Sequence, residues 1–350
     1  MDTSAPLSFP HASPPDFGQT VEIAPGVLWL RLALPFALDH INLYLIEDDG
    51  GWAAIDTGIG DARTLDAWAG LIGSKQLGGR GLTRLIVTHF HPDHVGAAGW
   101  LAERYGLPLA MSQTEFLFSL ALQLDRDGYA TPGARAFYHG AGLPEDQVER
   151  IVNRGHGYLK RVTGLPQTYH RLIAGDRITL DGGRRALRVL TGGGHSPEQV
   201  MLYDEANKLF FAADQVLAKI SPNVSVWPNE PDADPLGLYL ASLTALSEAI
   251  PEDVLVLACH NLPFIGLHQR IGSLKAHHAQ RCDDLAAACR DEANPLAPLL
   301  PVLFPRPLDS HQTSFAVGEL WAHLNRMHRE GRLSLSFGPG GVRFYRTQDA

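Results

Sequence analysis

Thr88-His89-Phe90-His91-Pro92-Asp93-His94-Val95-Gly96 places four metal-ligating side chains within six residues. The stretch follows the apolar run Leu85-Ile86-Val87, which reads as a buried strand. Side chains alternate along a strand, so His89 and His91 share one face and can meet at one metal ion. Asp93 and His94 arrive from the turn and the helix that follows, and can meet a second. Imidazole with carboxylate suits zinc, iron or manganese and needs no Cys. A solvated polar turn has no use for so dense a cluster.

The motif resembles that of the metallo-β-lactamase-fold hydrolases, in particular their glyoxalase II-like branch, and the resemblance covers about residues 20–265. It implies an α/β fold, an αββα sandwich of two packed sheets with helices outside. Further ligands are then expected at later strand ends. His195 follows Gly192-Gly193-Gly194, where the family usually has Pro-Gly, so this loop is expected to be looser. Asp214 ends Phe210-Phe211-Ala212-Ala213, and an unpaired carboxylate there would be costly to bury. His260 ends Leu255-Val256-Leu257-Ala258-Cys259, flanked by Cys259 and Asn261 where the family often has Gly.

The resemblance implies one metal on His89, His91 and His195. It implies a second on Asp93, His94 and His260, with Asp214 and a hydroxide between them. The implied cofactors are two divalent metal ions, zinc first, with iron or manganese as alternatives. Asp93 is the leading catalytic candidate. Asp56 in Asp56-Thr57-Gly58 is the other, orienting ligands from behind; a turn-capping Asp explains it equally well. Two cations about 3.5 Å apart lower the pKa of a bridging water, and the hydroxide attacks a carbonyl or phosphoryl centre. Thioester hydrolysis is the first expectation by resemblance. Lactone or ester hydrolysis is the alternative, and a nuclease or phosphodiesterase ranks below both.

Composition agrees. The 350 residues, 45% of them apolar, suffice for one large domain with an appendage. A net charge of −9 disfavours a nucleic-acid partner and leaves a small-molecule substrate. No apolar run of about eighteen residues suggests a membrane span. Three Cys make no disulfide framework, and residues 1–17 lack the features of a signal peptide, so the expected location is the cytoplasm. A homodimer is an open option.

Three regions are expected: a flexible N-terminal arm over 1–17, a catalytic domain over 18–265, and a C-terminal helical or winged-helix-like module over 266–350. Strands are read at Val21–Ile23, Val27–Leu32, Ile41–Ile46 and Trp52–Ile55, and a helix from about His94 to Tyr105. Residues 112–170 form a helical insert, with helices at Phe116–Leu124 and Glu145–Val162. Its aromatic surplus is read either as pocket lining or as docking surface. In the C-terminal part, Ile271–Arg290 and Phe315–Arg329 read as helices around a Pro-rich break over 295–307. Cys259 reads as a small buried residue, and His277 and His278 as solvated.

Overall fold

The computed structural model describes residues 7–125 and 127–348. Seven strands form the first sheet, in the spatial order of the chain: β1 (Thr20–Ala24), β2 (Val27–Ala33), β3 (His40–Asp48), β4 (Gly51–Ile55), β5 (Gly81–Ile86), β6 (Leu109–Ser112) and β7 (His170–Leu172). β1 to β4 pair antiparallel; β4 to β7 pair parallel. The second sheet contains β8 (Arg177–Leu180), β9 (Arg185–Gly192), β10 (Gln199–Asp204), β11 (Leu209–Ala213) and β12 (Leu255–Ala258). Only β11 and β12 pair parallel there.

The helices of the first part are α1 (Ala62–Leu71), α2 (Pro92–Val95), α3 (Ala98–Tyr105), α4 (Gln113–Leu124), α5 (Pro132–Gly140), α6 (Glu145–Val152) and α7 (Pro235–Ala249). The C-terminal part has α8 (Leu267–Ala288), α9 (Leu296–Leu303) and α10 (Ser310–Arg329). A small sheet of β13 (Asn294–Pro295), β14 (Leu333–Phe337) and β15 (Arg343–Thr347) completes it.

The expected αββα sandwich follows from strands apolar on both faces. Along β3, Tyr44 and Ile46 face the second sheet, against Leu187, Val200 and Phe211. Leu43 and Leu45 point the other way, under Trp68 of α1 and Leu101 of α3. The outer face of the second sheet, with Met201, Tyr203 and Phe210, is covered by α7, α8 and α10. Each fully buried large side chain contributes about 1.5–3 kcal/mol. The parallel pairs β4·β5 and β11·β12 bring their C-terminal ends to common edges. Two antiparallel steps through β10 set β9 running with β11. Every ligand candidate lies just beyond one of these ends.

Several boundaries differ from expectation. Residues 1–6 of the expected arm lie outside the described residues. Ser8, within that arm, pairs with Ile265 through N–H···O contacts of 3.1 and 2.8 Å. The helix expected from His94 to Tyr105 is broken at Gly96 and Ala97. The Gly96 carbonyl there accepts from the Thr163 N–H (2.7 Å) and hydroxyl (2.9 Å). The helix expected to reach Val162 stops at Val152, ahead of Gly155 in left-handed backbone (φ 78°). Residues 296–303 are helical despite Pro301. α10 starts at Ser310, where Asp309 and Gln312 form a capping box. α10 is buried along most of its length, so it is a core helix and not one presented to a groove. The insert divides: α4 follows β6, while Phe137 of α5 stacks on Trp321 of α10 (4.3 Å, 16°).

Candidate metal centre

All seven ligand candidates converge at the rim. His89 Nε2, His91 Nδ1 and His195 Nε2 form a triangle with edges of 2.9, 3.0 and 3.3 Å. A second group joins Asp93, His94 and His260. His260 Nε2 lies 3.4 Å from Asp93 Oδ2, and His94 Nε2 lies 3.7 Å from the same oxygen. Asp214 stands between the groups. Its Oδ1 is 3.4 Å from His260 Nε2, and its Oδ2 is 3.4 Å from both His94 Nε2 and His195 Nε2. His89, His94, His195, Asp214 and His260 are buried; His91 and Asp93 are partly open to solvent.

This donor set fits divalent cations. Two nitrogens bound at about 2.1 Å to a tetrahedral ion stand about 3.4 Å apart, and the observed triangle is close to that. His94 Nε2 and Asp214 Oδ1 are buried without a hydrogen-bond partner. Native structures seldom orphan such atoms unless an ion or water serves them. Burial, then the neighbouring imidazoles, holds His89 well below the usual histidine range and His91 down to about 3, so both offer lone pairs. Burial opposes ionisation of Asp93, but the charges of His94 and His260 outweigh it and bring the group to about 2. Burial likewise works against a proton on His260, yet Asp214 and Asp93 lift it to about 10. A cation can take the place of such a proton.

The outer nitrogens are fixed in turn. His94 Nδ1 meets Asp56 Oδ2 at 2.8 Å, His195 Nδ1 meets the Asn223 carbonyl at 2.8 Å, and His260 Nδ1 meets the His40 carbonyl at 2.9 Å. Asp56 also accepts from the Thr88 N–H (2.8 Å) and hydroxyl (2.9 Å). It therefore ties β4, the His motif and His94 together, which a turn cap does not do. Cys259 is buried, and its thiol donates to Asp56 at 3.6 Å. Burial raises that thiol, so it stays protonated beside the centre.

The glycine loop before His195 is tight, contrary to expectation. A Cβ on Gly194 would stand 2.4 Å from Tyr239 Cβ and 2.6 Å from the Pro235 carbonyl, so the loop sits directly on α7. Among the described residues, three of the five non-glycine residues with positive φ adjoin ligands: Asp56 (62°), Ala213 (47°) and Asn261 (67°). Asn tolerates this backbone region better than most residues, which accounts for its place where a Gly is common.

Sequence reading missed Glu115. It is fully buried on α4 and accepts from the backbone N–H of Phe90 (3.0 Å) and of Glu198 (2.6 Å). It thus joins the two loops that carry His89, His91 and His195. Burial pushes it up to about 6 against those amides. The available signal was an acidic residue at the same helical face as Phe116 and Ser119. Tyr158, hydrogen-bonded to Ser119 (2.7 Å), donates to the Phe90 carbonyl at 2.9 Å. His278, read from sequence as solvated, is instead buried and joined to the buried His323 at 3.1 Å.

Residues 37–260 match the model of the metallo-beta-lactamase superfamily, and residues 282–348 match that of a metallo-beta-lactamase-like C-terminal domain. Among solved structures, a beta-lactamase domain protein from Burkholderia ambifaria is 38% identical. It covers 98% of each chain with a TM-score of 0.89. A metallo-beta-lactamase family protein from Thermus thermophilus is 29% identical over 93% of this chain and 100% of its own, with a TM-score of 0.78. No curated protein matches.

Proposed function

Since the chain belongs to the metallo-β-lactamase superfamily, a family of metal-dependent hydrolases, we propose that it hydrolyses thioesters at a pair of divalent cations. The observation that carries the two-cation reading is Asp214 standing between the ligand groups, with Oδ2 near both His195 and His94 and Oδ1 near His260. His89, His91 and His195 would hold one ion; Asp93, His94 and His260 the other, with Asp214 shared. When bound, the ions supply an activated water and polarise the substrate's carbonyl. The chain's own residues do the rest. Asp56, Glu115 and the Asn223 carbonyl hold ligand rings and loops in place, so little reorganisation is needed during reaction.

The choice of thioester rests on leaving-group chemistry. Glu115 is committed to two backbone amides and Tyr158 to the Phe90 carbonyl. Neither is free to protonate a departing group, and a thiolate leaves without that help. A lactone or simple ester is the rival substrate. The net charge of −9 speaks against a polyanion.

An acyl chain would run along the aromatic surface beside the centre. Tyr129, Phe137 and Tyr138 of the insert line a narrow crevice with Trp227, Pro228 and Phe315. Trp227 reaches Phe90 (6.2 Å between rings), and Phe90 touches His91 (4.5 Å). Each methylene buried there is worth about 0.8 kcal/mol, roughly fourfold in kcat/KM. The expected result is a rise over the first few carbons of an acyl-thioester series, flattened in Trp227→Ala. A flat profile in wild type would place the acyl group elsewhere. A parallel panel of lactones and phosphodiesters tests the thioester assignment itself.

Metal removal is the direct test of the cofactor. Protein stripped by chelator should lose turnover and melt at a lower temperature, and zinc or manganese should restore both. An ion present at about a thousand times its Kd stabilises the folded state by about 4 kcal/mol. Metal analysis should saturate at two ions per chain; saturation at one removes the dinuclear reading.

A further inference from the structure

The segment between Asp214 and α7 is gripped by the C-terminal module at three places. Arg270 of α8 donates through Nε to the Leu217 carbonyl (2.6 Å) and through Nη2 to the Ile220 carbonyl (2.8 Å). Glu319 of α10 accepts from Asn223 Nδ2 at 3.3 Å. The Val226 N–H donates to the Gly318 carbonyl at 3.0 Å. A Cβ on Gly318 would lie 2.8 Å from the Val226 carbonyl oxygen, so helix and loop meet backbone to backbone. Within the module, Glu319 is buried and paired with Arg281 of α8.

Asn223 is where this grip reaches the metal centre. Its side chain also accepts from the Ser225 hydroxyl at 2.6 Å. Its carbonyl faces His195 Nδ1 at 2.8 Å. A carbonyl can only accept, so Nδ1 carries the proton and Nε2 turns its lone pair toward His89 and His91. Taking a charged pair out of water is costly, and packing two regions together does not require one. Here the pair meets the residue whose carbonyl fixes a ligand.

We propose that the C-terminal module is a working part of the metal centre: the Arg281–Glu319 pair, acting through Asn223, sets the ring of His195. Asn223 and Glu319 are positioning residues. The proposal rests on the metal reading above and extends it to residues far outside the ligand motif.

The test measures zinc affinity of the metal-free full chain by competition with a chromophoric chelator, together with the cobalt(II) absorption spectrum. The variants are Asn223→Ala, Glu319→Gln and, as control, Asn325→Ala. Asn325 also lies on α10 and bonds the same connecting segment, at the Pro231 and Ala233 carbonyls (3.0 and 2.8 Å), but makes no link to a ligand. Wild type should take up two ions. Asn223→Ala should weaken one of them by about 10–100-fold. Glu319→Gln should weaken the same ion less, with a changed cobalt spectrum. Asn325→Ala should lower the melting temperature while leaving both affinities unchanged. Wild-type affinities in Asn223→Ala and Glu319→Gln overturn the proposal and leave the metal reading standing. An equal loss in Asn325→Ala also overturns it, because general loosening then explains the effect. A wild type that binds no ion removes the metal reading and the proposal together.

Discussion

Asp93→Ala lowers kcat by about a thousandfold while the protein stays folded. Asp93 lies against His260 and His94 with its carboxylate partly open to solvent, so it links the second ligand group to the space a substrate enters. Charge stabilisation at such a centre is worth several kcal/mol, and each 1.36 kcal/mol is tenfold in rate. Its partial exposure means that truncation leaves no large cavity. Steady-state kinetics and a thermal melt on the same sample separate the two effects. A variant with near wild-type turnover removes Asp93 from the reaction, and His170→Ala, on an exposed position of β7, serves as the silent comparison.

The second large effect concerns stability. Trp321→Ala is expected to cost about 3–5 kcal/mol, the range for deleting a fully buried aromatic side chain. Trp321 is 1% exposed, stacks on Phe137 of the insert and lies under the Arg343 guanidinium of β15 (5.1 Å). It therefore joins the insert, the C-terminal helices and the terminal hairpin in one packed cluster. Denaturant unfolding at fixed metal content measures the loss. A cost below about 1 kcal/mol means these parts do not support one another, and the grip on Asn223 would then stand on a loose foundation.

Much of the centre was legible because strand chemistry and ligand chemistry coincide. His195, Asp214 and His260 stand beyond apolar strands, where the resemblance to the family placed further ligands, and the continuous burial of β11 and β12 makes a polar residue at their ends conspicuous. Asp56 was visible as a residue but ambiguous in role, since only the folded chain brings Thr88 and His94 to its two oxygens. Glu115 escaped notice because its partners are backbone amides, and amides carry no side-chain signature. The same holds for Asn223, which acts on His195 through its carbonyl. The α9 helix was hidden by its prolines, and tertiary packing overrode their cost. His278 looked like a surface histidine because His277 and Gln280 stand beside it in sequence, while its burial depends on which face of α8 meets α7 and α10.

The parallel pairing of β12 with β11 has a consequence for how the chain is made. Asp214 emerges from the ribosome well before His260, with the whole of α7 between them. Until β12 docks, Asp93, His94 and Asp214 lack their last partner, and a nascent chain offers only an open, low-affinity version of that half of the centre. Closing so long a loop is slow compared with forming a local hairpin. If the second group takes an ion as proposed, it does so only after β12 has docked beside β11 and brought His260 to Asp93, His94 and Asp214.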